Sequence, residues 1–437
     1  MTEQMMQETA GKTIPAGYKQ TEVGVIPEDW DVCELQEAVE FLDGQRRPIK
    51  SGDRAKIAGI YPYYGASGIV DYVNDYIFDE QLILLGEDGE NILSRNVPLA
   101  FKVSGKIWVN NHAHVLKPKE DFHIGYLTEL LESIDYSLLN SGTAQPKLNK
   151  QTCQKIKVIK PRHKEQTAIA NVLSDSDALI DALEQLIAKK QAIKSATMQQ
   201  LLTGRTRLPA FALRPDGTQK GYKLSELGDI PEDWEVNTLN NLVSFENGDR
   251  SSNYPSANEF VDYGIPFINA GHVSDGQIND SIMDYVPEYV YSRLGGGKVK
   301  TGDLLFCLRG SLGKFGVIDK DFGRGAIASS LVIVRPNLKR TSTDFVASYF
   351  KSGTCKKMID LWAGGAAQPN LGARELGMFL VPIPQREEQT AIATILSDMD
   401  NELQALTQKL EKARALKQGM MQQLLTGKIR LPLAVGA

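Results

Sequence analysis

The sequence predicts an α+β fold built twice over: two globular domains in tandem repeat, separated by two long helices that pair with each other. Three observations carry that expectation. First, residues 165–209 (EQTAIANVLSDSDALIDALEQLIAKKQAIKSATMQQLLTGRTRLP) and 388–432 (EQTAIATILSDMDNELQALTQKLEKARALKQGMMQQLLTGKIRLP) are identical at 26 of 45 positions, which marks a duplication. Second, GYKQTEVGVIPEDW (17–30) returns as GYKLSELGDIPEDW (221–234), identical at 10 of 14 positions. Third, the longer repeats carry a helical apolar rhythm, whereas the bodies before them hold short β-like runs broken by glycine-rich turns.

Taken in order, residues 1–16 are polar and read as a flexible tail. The first domain spans 17–162, with strand-like runs QLILL (81–85) and KIWV (106–109) and a helix over 124–139. The central long helix covers 163–204. Val172, Leu179, Leu186 and Ile193 recur there every seventh residue and predict its seam, with Ile180, Leu183 and Ile187 widening the stripe. A linker rich in Pro, Gly and basic residues follows at 205–220. The second domain spans 221–384, with a strand in DLLFCL (303–308) and a helix over 343–362. The distal long helix covers 385–427, and 428–437 form a second tail. Leu396, Met399, Leu403, Leu406, Leu410, Ala413, Met420 and Leu424 keep the spacing of a coiled-coil seam. Gly204 and Gly427 stand at C-cap positions, and Pro384 just before the distal helix. Ser174-x-x-Asp177 and Ser397-x-x-Asp400 resemble capping boxes, which predicts a break and restart in each helix. About 39 residues at roughly 1.5 Å each make a rod on the order of 58 Å long.

The offset between copies is 204 at the opening motif (221 − 17) and 223 at the helices (388 − 165), so the second body grew by 19 residues (223 − 204). The bodies share little until GTAQPKL (142–148) and GAAQPNL (365–371), which converge at the helix offset. A duplicated scaffold with divergent bodies predicts two sites that recognise different things in the same manner.

Composition sets further bounds. The chain is 42% hydrophobic and 24% charged, with a mean hydropathy of −0.26, as expected for a soluble protein. No apolar run of about 18 residues could span a bilayer, and MTEQMMQETAGK lacks the apolar centre of a signal peptide. The four scattered cysteines, Cys33, Cys153, Cys307 and Cys355, lack metal-ligand spacing. They predict reduced thiols, a cytoplasmic location and no membrane partner. A net charge of −5 argues against a broadly basic surface. It still allows a local basic groove, or partners that supply the charge.

The catalytic signatures are missing. There is no Pro-Pro, hence no [DNS]-P-P-[YFW] for holding a target base. Gly310 to Lys314 is too short for a phosphate loop, and Gly295-Gly296-Gly297 lacks dinucleotide-fold spacing. Pro215-Asp216 with Lys220 has no second acid in place. His112 and His114 could face one metal from a strand, but spacing offers no third ligand. No catalytic, cofactor-binding or metal-binding residue is assigned.

The polar and aromatic loops instead suit base edges and phosphates. Candidates in the first body are Tyr63, Tyr64 and Ser67; Glu87, Asp88 and Asn91; and Asn110, Asn111, His112 and His114. In the second they are Asn247, Arg250 and Ser251; Asn269 and His272; and Arg309, Ser311 and Lys314. Gln145 and Lys147, with Gln368 and Asn370, add the GxAQPxL segments. Read alone, each loop could equally be a solvated surface turn.

The GYK–IPEDW opening, the EQTAIA–LSD–D helix ending in QQLLTG and the repetition of both make the chain similar to the specificity subunit of a type I DNA restriction-modification system, from about residue 17 to 432. The GxAQPxL segments match the motif that closes each recognition domain in that family. YPYYGASGIV, LLGEDGEN and GKIWVNNHAH resemble one recurrent recognition-domain type, and DLLFCLRGSLGK resembles another. The resemblance implies two target-recognition domains held apart by an antiparallel coiled coil with pseudo-two-fold symmetry. Each domain would read one half of a bipartite, asymmetric site on double-stranded DNA. The helices would set the spacer and dock two methyltransferase (modification) subunits, and through them motor–endonuclease (restriction) subunits. It also implies a non-catalytic chain, with S-adenosylmethionine, ATP and magnesium held by the partners. The alternative is a coiled-coil assembly scaffold without DNA sequence recognition, against which stand two divergent bodies carrying base-reading residue types.

Overall fold

The computed structural model describes residues 14–142, 145–363 and 370–432, so most of the two expected tails and Gln368 lie outside the described residues. The chain forms two compact units, one of residues 1–185 with 408–437 and one of 186–407. Their borders cut through both long helices rather than following the segments expected from the repeats. Each unit thus holds one body, the start of the long helix that follows it and the end of the other long helix.

Those helices run from His163 to Leu202 and from Arg386 to Leu424. Neither breaks at Ser174–Asp177 or Ser397–Asp400, contrary to the capping-box expectation. The acidic side chains are engaged elsewhere. In the first unit Asp177 accepts two 2.7 Å hydrogen bonds from Lys417, and in the second Asp400 accepts from Lys194 and, at 3.1 Å, from Lys351. A carboxylate turned toward another helix leaves its own backbone to the ordinary helical ladder. The partners descend in one helix as they ascend in the other: Arg430, Lys417 and Arg414 meet Glu165, Asp177 and Glu184 in the first unit, and Glu402 and Asp400 meet Lys190 and Lys194 in the second. The pairing is therefore antiparallel in both.

The distal helix buries or half-buries all eight of its expected seam residues. In the central helix Val172 packs against the first core, but the rest of the expected sevenfold stripe points outward. Leu179, Leu186 and Ile193 are 55%, 38% and 43% exposed, while Ile180, Leu183 and Ile187 turn inward. Subtracting 223 from the distal seam gives Leu173, Ser176, Ile180, Leu183, Ile187, Lys190, Thr197 and Leu201. This is one residue, or about 100° of helix rotation, away from the apolar heptad. Lysine at one seam position made the polar face look like the wrong face; its ammonium pairs with Glu402 at 2.7 Å.

Each body is built on an antiparallel four-stranded sheet of the same order. In the first unit Ala113–Pro118 lies between Val39–Phe41 and Leu82–Gly86, with Ala100–Val103 beyond the latter. In the second Leu331–Pro336 lies between Val243–Asn247 and Leu304–Cys307, with Phe315–Val317 beyond. The runs LILLG and LLFC are buried at every position, which is why they read as continuous apolar stretches. A second sheet flanks each, four-stranded in the first body and three-stranded in the second, and in both it contains one parallel pair: Trp108 beside Tyr63, and Phe267 beside Ala326. The helices expected over 124–139 and 343–362 are each interrupted. The first is Ile124–Glu132 followed by a single 3-10 turn at Ser137–Leu139. The second splits at Ser352, whose hydroxyl accepts from the Cys355 amide at 3.1 Å and starts a new helix, Gly353–Ala363.

The opening motif forms a lock. In the first unit Trp30 is fully buried, and its indole donates to Glu165 at 3.0 Å. Arg430 donates to both oxygens of Glu165, at 2.8 and 2.7 Å, and to Asp29, holding the Asp29 carboxyl below its ordinary range. The second unit repeats this bond for bond with Trp234, Glu388, Arg207 and Asp233. Burial opposes ionisation of Asp233, but Arg207 and Lys220 outweigh it and bring its carboxyl to about 2. Around each lock the core joins the start of one long helix (Ile169 and Leu173, or Ile392 and Leu396) to the end of the other (Met421, Leu424 and Leu425, or Met198, Leu201 and Leu202). The sequence identity between copies thus coincides with the residues that attach body to helix. Among the described residues, no helix is long and apolar enough to cross a membrane.

Candidate nucleic-acid interface

At one end of the sheet led by Ala113–Pro118 or Leu331–Pro336, loops meet the described part of the GxAQPxL segment, 145–148 in the first body and 370–371 in the second. In the first body Leu82–Gly86 delivers Glu87 and Asp88, and Ala113–Pro118 begins just after His112. The closing segment is stitched to the first of these. The Gly89 amide donates to Pro146 and the Leu148 amide to Glu87, at 3.0 and 2.7 Å, and Lys147 lies 3.4 Å from the Glu87 carboxylate. Arg46 then spans the cluster, donating to Glu87 at 2.6 Å and to the Ala113 carbonyl at 2.7 Å. Asp88 faces His112 at 2.8 Å.

His114 lies beneath this cluster and is 1% exposed. Its Nδ1 faces Asp43 at 2.8 Å and its Nε2 faces the Leu148 carbonyl at 3.0 Å, so both ring nitrogens meet acceptors. Only the imidazolium can donate to both. Burial disfavours the charge, but hydrogen bonding and charge from Asp43, aided by the Cys153 thiol, raise its pKa from 6.5 to about 10. Asp43 is correspondingly held below its ordinary value against its own burial. A group whose folded pKa is raised contributes stability that is complete below about pH 6.5 and is lost as pH climbs toward 10. Wild-type chain should therefore lose resistance to denaturant between pH 7 and 10, by a few kcal/mol at most. His114→Asn should be weaker at pH 7 and lack that component; parallel pH profiles for the two proteins would count against the buried imidazolium.

The second body keeps the frame and changes its charge. The Leu371 amide donates to Leu308 at 3.1 Å, and Asn370 pairs with Arg309 as a short bridge. The Leu308 amide donates to Ser330 at 2.9 Å, and Arg250 reaches the Ser329 carbonyl at 3.1 Å. Arg309 stands where the first body has the acidic Asp88, and buried Leu308 where it has Glu87; Arg309 and Lys314 are exposed, and among the described residues no ion pair or side-chain hydrogen bond occupies either. Asp249 steadies the neighbouring loop by accepting 2.7 Å bonds from the Ser251 and Gly295 amides; the Ser251 side chain most, then these amides, lower its carboxyl to about 2. The triple-glycine run is thus a backbone anchor, Gly297 donating in turn to Glu246 at 2.8 Å.

The structure sorts the residues chosen from sequence. Ser67, Asn111, His112, Gln145 and Lys147 in the first body, and Asn247, Arg250, Ser251, Arg309, Lys314 and Asn370 in the second, are exposed; Ser311 is half-exposed. Others are committed inside the protein. Tyr63 is buried with its hydroxyl accepting from the Ile49 amide, and Tyr64 is half-buried beside Phe101. Asn91 closes its own loop through both bonds to Val97, and Asn110 caps the His112 amide. His272 is 4% exposed, and Asn269 is spent on Gly271 and Asp284, so that pair forms a turn rather than a contact surface. His112 and His114 face different carboxylates, Asp88 and Asp43. Sequence reasoning missed Arg46, Asp43 and Ser329. Arg46 was findable: Gly44 and Arg46 recur as Gly248 and Arg250 at the opening-motif offset of 204 (250 − 46). An open cleft of about 180 Å³ lined by Asp29, Asp31, Asp121, Lys160, Arg162 and His163 shares no residue with the loop cluster.

Comparison with known proteins adds to this geometry. The family described as type I restriction modification DNA specificity domain matches twice, over residues 27–194 and 231–414. The type I restriction enzyme MjaVIII specificity subunit of Methanocaldococcus jannaschii is 28% identical, over 93% of this chain and 94% of that one. A putative type I restriction enzyme specificity subunit of Haemophilus influenzae, S.HindORF215P, is 26% identical over 87% and 90%. Among solved structures, the S subunit of a type I restriction-modification system from M. genitalium superposes with a TM-score of 0.61 at 14% identity, covering 94% of this chain and 98% of that one.

Proposed function

The chain belongs to the type I restriction-modification DNA specificity family, and from that premise we propose that each unit reads one half of a bipartite, asymmetric DNA target. The observation that carries this reading is the shared frame with inverted charge. Both bodies are locked to the helices by the same residues and present the same sheet end, yet Asp88 stands in one where Arg309 stands in the other, each bridged to the same position of the closing segment, Lys147 or Asn370. A carboxylate accepts from cytosine N4, whereas Arg and Lys donate to guanine O6 and N7, so the two frames suit different base edges. Lys147, Arg250 and the backbone amides of the loops supply phosphate contacts.

The chain itself performs no methyl transfer or cleavage; modification subunits bring S-adenosylmethionine, and restriction subunits bring ATP and magnesium. The long helices dock the modification subunits and fix the spacer. Leu179, Leu186 and Ile193, exposed at every seventh residue, support docking, because apolar side chains at that spacing share one helix face rather than being scattered. Uninterrupted helices support a fixed spacer, since a helix without a break is stiff.

Exchange of residues 31–161 for the corresponding body of another family member tests the reading. Sequencing of methylated DNA from cells carrying the hybrid should show one half of the modified sequence replaced and the other unchanged. Simultaneous change in both halves, or in neither, would refute independent reading.

A further inference from the structure

Ion pairs join the two long helices, and the duplication has kept one of them. Asp177 pairs with Lys417 in the first unit and Asp400 with Lys194 in the second, each residue 223 positions from its counterpart (400 − 177 and 417 − 194). The pairs Lys190–Glu402 and Arg414–Glu184 were not kept. The positions matching the first hold Ala413 and Leu179, and those matching the second hold Gln191 and Thr407. Exposed pairs contribute little, so their drift is expected.

What sets the retained pair apart is a third charge, supplied by the body. In the first unit Glu129 lies 3.2 Å from Lys417, whose ammonium donates two 2.7 Å bonds to Asp177. In the second, Lys351 donates to Asp400 at 3.1 Å beside Lys194. Two acids thus share one lysine in one unit, and two lysines share one acid in the other. The body helices that carry these charges are seated alike at their starts. Gln166 donates to the Asp121 carbonyl, two residues before the N-cap His123, and Gln389 to the Arg340 carbonyl, two before the N-cap Ser342. Counted from those caps, Glu129 is the sixth residue and Lys351 the ninth. The two bodies therefore reach the same pair with opposite charges from positions one turn apart on the same helix face.

The site is sheltered, with Glu129 17% and Lys417 18% exposed. Burial raises the Glu129 carboxyl above its ordinary range against the pull of Lys417, and Asp177 adds to the rise, so Asp177 already acts on a charge at that position. Burial also opposes ionisation of Asp400, but Lys194 and Lys351 outweigh it. A lone acid or a lone base on the helices would repel one of these bodies. A pair that offers both signs attracts either.

We propose that the retained Asp–Lys pair is a socket that seats the body helix through a charge of either sign and so orients each body on the long helices. Asp177, Lys417, Asp400 and Lys194 are its positioning residues. They explain how one scaffold holds two bodies of unlike sequence.

The test uses the full chain assembled with its modification subunits. Glu129→Lys should melt within about 3 °C of wild type, because Asp177 takes the new ammonium as Asp400 takes Lys351; Lys351→Glu should do the same through Lys194. Combining Glu129→Lys with Asp177→Asn, or Lys351→Glu with Lys194→Met, leaves like charges without their shared partner and should lower melting by about 5–10 °C. Methylation of the target, measured well below every melting transition, should survive the single reversals and fall by about tenfold or more in the doubles. The methylation arm rests on the units being DNA-recognition domains; the melting arm does not. Single reversals that melt as low as the doubles overturn the socket, and so do doubles that melt with the singles. Single reversals that melt with wild type yet lose methylation overturn the orienting role. A wild-type complex that methylates no DNA, with the melting pattern intact, removes the DNA reading and leaves the socket standing.

Discussion

Arg207→Ala should destabilise the second unit by about 3–5 kcal/mol, the cost of stranding a buried charge. The guanidinium is 7% exposed and the Glu388 carboxylate 3% exposed, so water cannot replace what the substitution removes. Three groups share the arginine: both oxygens of Glu388, Asp233 and the Phe211 carbonyl. Its loss leaves Glu388 with the Trp234 indole alone at 3.0 Å. At roughly 2–4 °C per kcal/mol for a unit of this size, the melting transition should fall by about 10 °C in a thermal scan. Adding Glu388→Gln should restore part of the loss, since a neutral amide tolerates the site better than an unpaired carboxylate. Arg430→Ala in the first unit should cost less, because Arg430 is 37% exposed and solvent can reach the gap. Equal melting temperatures for wild type and Arg207→Ala would mean the lock contributes nothing to stability.

Gly204→Ala should cost about 2–4 kcal/mol, from two sources that a second glycine separates. The residue has φ +70, a left-handed conformation that disfavours any Cβ, and an added Cβ would stand 2.4 Å from Cδ of Pro231 and 3.2 Å from the Trp234 ring. The helix therefore ends where the opening motif packs most closely, and the Tyr222 hydroxyl fixes that contact by donating to the Gly204 carbonyl at 3.2 Å. Gly217 has a similar φ of +84 with nothing within 4 Å. Gly217→Ala should accordingly show only the conformational part, about 1 kcal/mol. Denaturant titration of the two variants would reveal the difference; equal losses would mean that the close approach to Pro231 relaxes at no cost.

The lock shows why so much of this protein can be read from its sequence. Glu165, Trp30 and Arg430 lie far apart along the chain and are repeated almost without change at Glu388, Trp234 and Arg207. A buried carboxylate, an indole and a guanidinium constrain one another so tightly that drift in any one leaves the others unsatisfied. The duplication, the two long helices and the family resemblance all follow from those retained stretches, whereas the ion pairs between the helices appear only in the structure.

The loop cluster is different, because its residues acquire roles only through neighbours brought from elsewhere. His114 and His112 look equivalent in sequence, two residues apart. His114 lies inside the strand Ala113–Pro118 and is buried against Asp43, whereas His112 stands in the turn before it and stays at the surface with Asp88. Tyr63 and Tyr64 are neighbours of the same type, yet one is buried with its hydroxyl on the Ile49 amide and the other only half-buried. The seam of the central helix was misread for the same reason. Apolar residues recur every seventh position on two faces, and only the opposing helix, with Glu402 set against Lys190, decides which face turns inward. Periodicity determines that a helix or strand exists and repeats. Which of its faces meets a partner is fixed by burial and charge pairing across distant segments, and these arise only when the chain has closed on itself.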